Sequence, residues 1–236
     1  MSAVYHILNG DMLRWQIPKE IQGEIIICKE ALVEGDVNAE SLEMLFDKRA
    51  AYLGQYENSG IDYYSDVVSE FEKIINLPNN ADVNLWFEFD LFCQVNLWFV
   101  SSLLKQQNIY LVLPQNESGF GTMNAEELKD ALYKRRAVSR KNLSLLKEFW
   151  PAFQTNDLSQ MEALAAQLRN QFSFLLTAVK ANERRLNGDL EKSIKEILLN
   201  EENLDFQEAF KQFCIQEPSF GYADLQFKKI YDQLTQ

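Results

Sequence analysis

The sequence predicts an α/β fold: a small, mainly parallel sheet flanked by helices, then an all-helical C-terminal part ending in a helix-turn-helix-like unit. Three observations lead there. Short apolar runs alternate with stretches of helical period over residues 3–114, the pattern of βαβ units. The run "EIIIC" at 24–28 is apolar without alternation, as in a strand covered on both faces. Beyond residue 121 every apolar pattern has helical spacing, and no strand signal is expected there.

Taken in order, "AVYHILN" at 3–9 reads as a first strand ending at Gly10, and residues 11–16 as a short helix stopped by Pro18. Residues 24–28 form strand two. Leu42, Leu45, Phe46 and Leu53 share one helix face behind a Ser41 cap. Val67, Phe71, Ile74 and Ile75 repeat that period over 63–77. "VNLWFEF" at 83–89 is strand three, 91–106 a strongly apolar helix, and "IYLVLP" at 109–114 strand four. "NESGFG" at 116–121 reads as a boundary, giving an α/β domain over 1–121 and a helical domain over 122–236. Asn124 and Glu127 have capping-box spacing, and a second helix covers 140–150, ending near Pro151. Leu158, Met161, Leu164, Leu168, Phe172, Leu175 and Val179 predict one amphipathic helix. Three short helical patterns fill 189–236. They suggest a winged-helix-like unit without a visible wing over about 187–236.

Of 236 residues, 47% are hydrophobic and 12% aromatic, enough for a substantial core. The net charge is −12, and it is uneven: residues 1–121 hold 7 Lys or Arg against 18 Asp or Glu, the remainder 16 against 17. Nonspecific contact of the first half with nucleic acid or an anionic membrane is therefore disfavoured. Cys28, Cys93 and Cys214 are odd in number and lack CxxC spacing, which points to a reducing, cytosolic setting without a zinc site. The opening residues lack a signal-peptide pattern. Glu88, Asp90, Gln94 and Asn96 interrupt the most apolar stretch, so no membrane span is expected.

In open parallel sheets ligands bind beyond the carboxyl ends of the strands. Those ends carry Asn9-Gly10-Asp11, Lys29-Glu30, Glu88-Phe89-Asp90 and Gln115-Asn116. If strands one and three are neighbours, Asp11, Glu88 and Asp90 converge. Converging carboxylates bind Mg²⁺ or Mn²⁺, or force one of their number to keep a proton as acid or base. Asp11 and Asp90 are the candidate metal ligands, and Glu88 a ligand or base. Asn9 would add a carbonyl, and Gly10 would let a ligand approach the backbone. Each has a purely structural alternative, as a turn residue or a helix cap. His6, the sole histidine, is either a catalytic base or a packed core residue. No GxSxG, P-loop or GxGxxG motif is present.

The second candidate is basic. Lys129, Lys134, Arg135, Arg136, Arg140, Lys141 and Lys147 fall in one stretch, and 129, 136, 140 and 147 share a face if it is one helix. The stretch is a solvated face, docks on the acidic half, or contacts phosphate or nucleic acid. Arg136 and Arg140 are the candidate clamps for a small anionic ligand over the sheet. In the tail Lys228 and Lys229 are offset by Asp224 and Asp232, a weak footprint for DNA.

"HILNGD" at 6–11, "KEALVEGDV" at 29–37, "DKRAAYL" at 47–53 and "LWFEFDLFCQVNLWF" at 85–99 resemble a bacterial family designated domain of unknown function 1835. The likeness extends more weakly through "KRRAVSRKNL" and "FGYADLQF". It implies that His6, Asn9, Gly10, Asp11, Glu30, Glu88, Asp90 and Gln94 act as one constellation, and it implies no activity. The family often has Trp before the Arg or Glu at strand two, where "IICKEAL" stands here. It often has His between the acids after strand three, where Phe89 stands, removing a possible ligand or acid–base group. Two functions follow. One is a ligand-binding protein, with metal-assisted phosphoester hydrolysis as its chemistry. The other is a non-catalytic regulatory protein contacting a protein or nucleic acid through its helical part.

Overall fold

A computed structural model describes residues 2–55, 62–116, 119–200 and 204–235. Strands β1 (Val4–Asn9), β2 (Glu24–Cys28), β3 (Asp82–Trp86), β4 (Asn108–Val112) and β5 (Arg136–Val138) form one sheet in the order β2-β1-β3-β4-β5. The first four are parallel, and β5 runs antiparallel to β4. β1 and β3 are neighbours, with Leu8 opposite Trp86. The chain order reverses beside them, so their carboxyl ends open a crevice of the kind that binds ligands.

Eleven α-helices are described. α1 (Asp11–Gln16), α2 (Leu42–Leu53), α3 (Ser69–Ile75), α4 (Leu91–Leu103) and α5 (Ala125–Tyr133) lie before β5. α6 (Arg140–Gln154), α7 (Leu158–Leu168), α8 (Leu175–Leu186), α9 (Asp189–Asn200), α10 (Phe206–Gln216) and α11 (Asp224–Thr235) follow it. None is long and apolar enough to cross a membrane. The Ser41 cap and the Asn124–Glu127 capping box both form.

Three local expectations are corrected. A strand exists beyond residue 121: β5 is short, and its Arg136 and Ala137 are exposed, so it shows no apolar alternation. Gln171 Nε2 caps its outer edge at the Ala137 carbonyl, which blunts an edge that would otherwise recruit another strand. The basic stretch is therefore not one helix, because β5 separates α5 from α6. The amphipathic pattern over 158–179 is two helices, broken between Leu168 and Leu175, with Phe172 fully buried in the break. The helix behind Ser41 ends at Leu53, and residues 56–61 lie outside the described set.

One continuous core runs from Ile7 on β1 to Ile230 on α11. α4 lies at its centre, with Trp98 stacked on Phe149 of α6 at 5.0 Å and Phe99 against Trp150 at 4.8 Å. The helical part thus shares the core of the sheet and supplies its fifth strand. A smaller cluster around Leu8, Trp86, Val112 and Phe120 covers the other face.

Candidate functional site

Beyond the carboxyl ends of β1, β3 and β4 lies a cavity of about 1160 Å³. Asn9, the turn Glu88–Phe89–Asp90 and Cys93 of α4 form its floor. Residues of the α7–α8 break and the 213–222 segment roof it, and Arg136 of β5 lines one side.

The floor is organised by the start of α4. Asp90 caps it, Oδ1 accepting from Cys93 N at 2.8 Å. Leu91 N donates to the Ser219 carbonyl at 2.8 Å, Phe92 N to Phe220 at 3.1 Å, and Gln94 N to the Asp90 carbonyl at 3.0 Å. Gln94 N makes the first bond within the helix, and the three open amides before it, those of Leu91, Phe92 and Cys93, are all used. This helix start is not the anion cradle that such positions often are.

Glu88, Asp90 and Cys93 bring ligand atoms within 4.8 Å of one another. Glu88 Oε1 accepts from Phe120 N at 2.5 Å. Two glycines let the chain close over these carboxyl groups. A Cβ on Gly119 (φ +77°) would lie 2.4 Å from Glu88 Oε1, and one on Gly221 (φ +65°) 1.9 Å from Asp90 Oδ1. Burial pushes the Glu88 carboxyl above its usual range against the pull of the Phe120 amide, and Asp90 adds to the rise. Burial likewise raises Asp90 against its amide donors. Burial raises the Cys93 thiol well up, with Asp90 and Glu88 contributing. Among the described residues no ion pair includes Glu88 or Asp90.

Asn9 Nδ2 donates to Cys93 Sγ at 2.9 Å, while its Oδ1 accepts from Asn96 Nδ2 at 2.8 Å. Asn96 also donates to the Glu30 carbonyl at 2.6 Å. Three amide or carbonyl groups in a row therefore hold a donor against the sulfur.

The other expected residues stand elsewhere. Asp11 is half-exposed at the start of α1 and pairs with Lys29 at 3.6 Å, outside both the cavity and the Glu88 cluster. Gly10 does not line the cavity; its amide donates to the Cys28 carbonyl at 2.9 Å. Glu30 is buried away from it. Its carboxylate accepts from Arg49 Nε at 3.0 Å, Arg49 Nη2 at 2.8 Å, Tyr63 Oη at 2.7 Å and Ala31 N at 2.7 Å. Gln94 is buried beneath the floor, where Nε2 holds the Glu88 carbonyl at 2.5 Å.

His6 is not placed as a base: it is 1% exposed on the opposite face of the sheet. Its Nδ1 accepts from Trp86 Nε1 at 3.1 Å, and its Nε2 faces the Gln22 carbonyl at 3.3 Å. Those partners fix a neutral ring, and burial lowers its pKa against the pull of that carbonyl, with Arg135 adding to the fall.

Arg136 lines the cavity, but Arg140 does not join it. Arg140 binds the Gln106 carbonyl at 2.7 Å, at the turn entering β4 and so at the amino end of the sheet. Four others of the basic stretch are also used internally. Lys129 pairs with Glu126 and Glu20, Lys134 with Asp130, and Lys147 reaches the Leu104 carbonyl. Arg135 binds Asn84 and lies over the Tyr110 ring at 4.0 Å. In the tail Lys228 pairs with Asp232.

Cys93 and the roof are what residue-by-residue reading misses. Asp90-x-x-Cys93 is same-face helical spacing, a signal available in the sequence. The roof, more than eighty residues downstream, has no comparable signal. No protein-family model, curated protein or solved structure matches the chain.

Proposed function

We propose that the chain binds a small anionic ligand in this cavity, beside a divalent cation held by Glu88 and Asp90, and that the reaction it serves is phosphoester hydrolysis. The observation that carries the reading is a pair of half-buried carboxyl groups, in no ion pair among the described residues, at the floor of a roofed cavity. Buried carboxyls are ordinarily paired. Here burial favours their protons, and a divalent cation is the partner that would displace them. The oxygen donors fit Mg²⁺ or Mn²⁺, and the neighbouring thiol also admits a softer ion. Such an ion polarises phosphoryl oxygens and acidifies bound water. Arg136 would take the remaining anionic oxygens, in the fork geometry that suits phosphate. The free thiols Cys28, Cys93 and Cys214 support a reducing, cytosolic setting. The resemblance to the domain of unknown function 1835 family carries no activity, so the reading rests on the cavity.

The test is the melting temperature titrated with Mn²⁺. At a hundredfold excess over Kd, a native-state ligand adds about 2.7 kcal/mol, roughly 5–10 °C for a chain of this size. Glu88→Gln and Asp90→Asn should abolish the rise, and Asp11→Asn should retain it. A chromogenic phosphodiester assayed with Mn²⁺ then tests hydrolysis. A flat titration in the unmodified protein sinks the cation site.

A further inference from the structure

Resting on that reading, we infer that the anionic ligand is a nucleoside phosphate, its phosphate between the Glu88–Asp90 floor and Arg136 and its base against Phe89 and Phe174. A cation and a phosphate leave most of the cavity unused. Its volume of about 1160 Å³ far exceeds what a phosphate fills. Phe89 and Phe174 both line it, neither is buried, and their ring centroids lie 5.2 Å apart at 43°. A flat ring covers such surfaces, and stacking on aromatic side chains is insensitive to which base is presented. Ser173 and Thr177, exposed on either side of Phe174, put hydroxyls at the same wall. They suit the heteroatoms of a base or sugar better than an alkyl chain. Phe89 also lies between the two acids in sequence, so the turn that presents the carboxyl groups presents the aromatic ring. Base and phosphate would thereby be set at a fixed separation.

The experiment is calorimetric titration with Mn²⁺ present, using AMP, ribose 5-phosphate and adenosine as separate probes. A stacked base contributes about 1–3 kcal/mol, so AMP should bind about fivefold or more tighter than ribose 5-phosphate. Phe174→Leu should remove most of that difference while the Mn²⁺-dependent rise in melting temperature persists, which also shows that the variant is folded. Phe89→Leu provides a second, independent removal of the aromatic wall. Equal affinity for AMP and ribose 5-phosphate would overturn the inference. So would AMP affinity unchanged in both Phe variants. An Mn²⁺ response without binding of either phosphate overturns the inference and leaves the cation site standing. No Mn²⁺ response in the unmodified protein defeats the underlying reading itself.

Discussion

Two strand ends on either side of β1 carry acids, buried at one and half-buried at the other, and they are built in opposite ways. At the end of β2, Glu30 has every oxygen answered by Arg49, Tyr63 and Ala31, and the Arg49–Glu30 pair is entirely buried. At the end of β3, Glu88 and Asp90 have backbone amide donors but, among the described residues, no ion pair, and they line a cavity. A charge fully partnered inside the protein is architecture: it fastens the 30–34 segment to α2. A charge that burial discourages and no described ion pair offsets is suited to a partner from outside.

The comparison breaks most visibly at Arg49. Arg49→Ala strands a buried carboxylate and should cost about 3–5 kcal/mol, read by urea unfolding. Arg49→Met with Glu30→Met should recover most of that loss, since an apolar replacement of a buried pair is often neutral. Next in size is the closure over Asp90. Gly221→Ala forces an L side chain into φ +65° with its Cβ on the carboxylate, and should cost about 2 kcal/mol or more.

Titration sharpens the contrast with smaller effects. Glu88 and Asp90 have raised pKa values when folded. Their contribution favours the fold below the unfolded carboxyl values of 4.5 and 3.8, and is lost as pH rises through the folded values. The double variant Glu88→Gln, Asp90→Asn should therefore be more stable than the unmodified protein near neutrality and lose that advantage in acid. Equal stability at both ends would mean the pair is neutralised by something else. His6 has the opposite sign. Its folded pKa is lowered, so it supports the fold above 6.5 and that support is lost as pH falls. His6→Gln should flatten the loss of stability between neutrality and mild acid, measured by thermal melts across that range.

Much of the fold was legible because its signals are local. β1 to β4 and the buried α4 announce themselves as apolar runs between turn residues. β5 does not, because three residues including an exposed arginine have no apolar alternation, and only pairing with β4 makes them a strand. At the candidate site, Asp11 and Asp90 look alike in sequence, each the acid after a strand. Asp11 meets solvent and Lys29, whereas Asp90 meets a roof from beyond residue 212. Long-range packing decides between them, and a local pattern carries no record of it. The choice between cap and ligand also proved too narrow: Asp90 Oδ1 caps α4 while the residue lines the cavity.

The seam between roof and floor is made of main chain, Leu91 and Phe92 amides to Ser219 and Phe220 carbonyls. Peptide groups do not mutate. The identity of Ser219, or of the exposed side chains around the opening, can drift without unfastening the enclosure. A lineage could thus retune what the chamber admits by ordinary substitution, while inheriting the chamber itself intact.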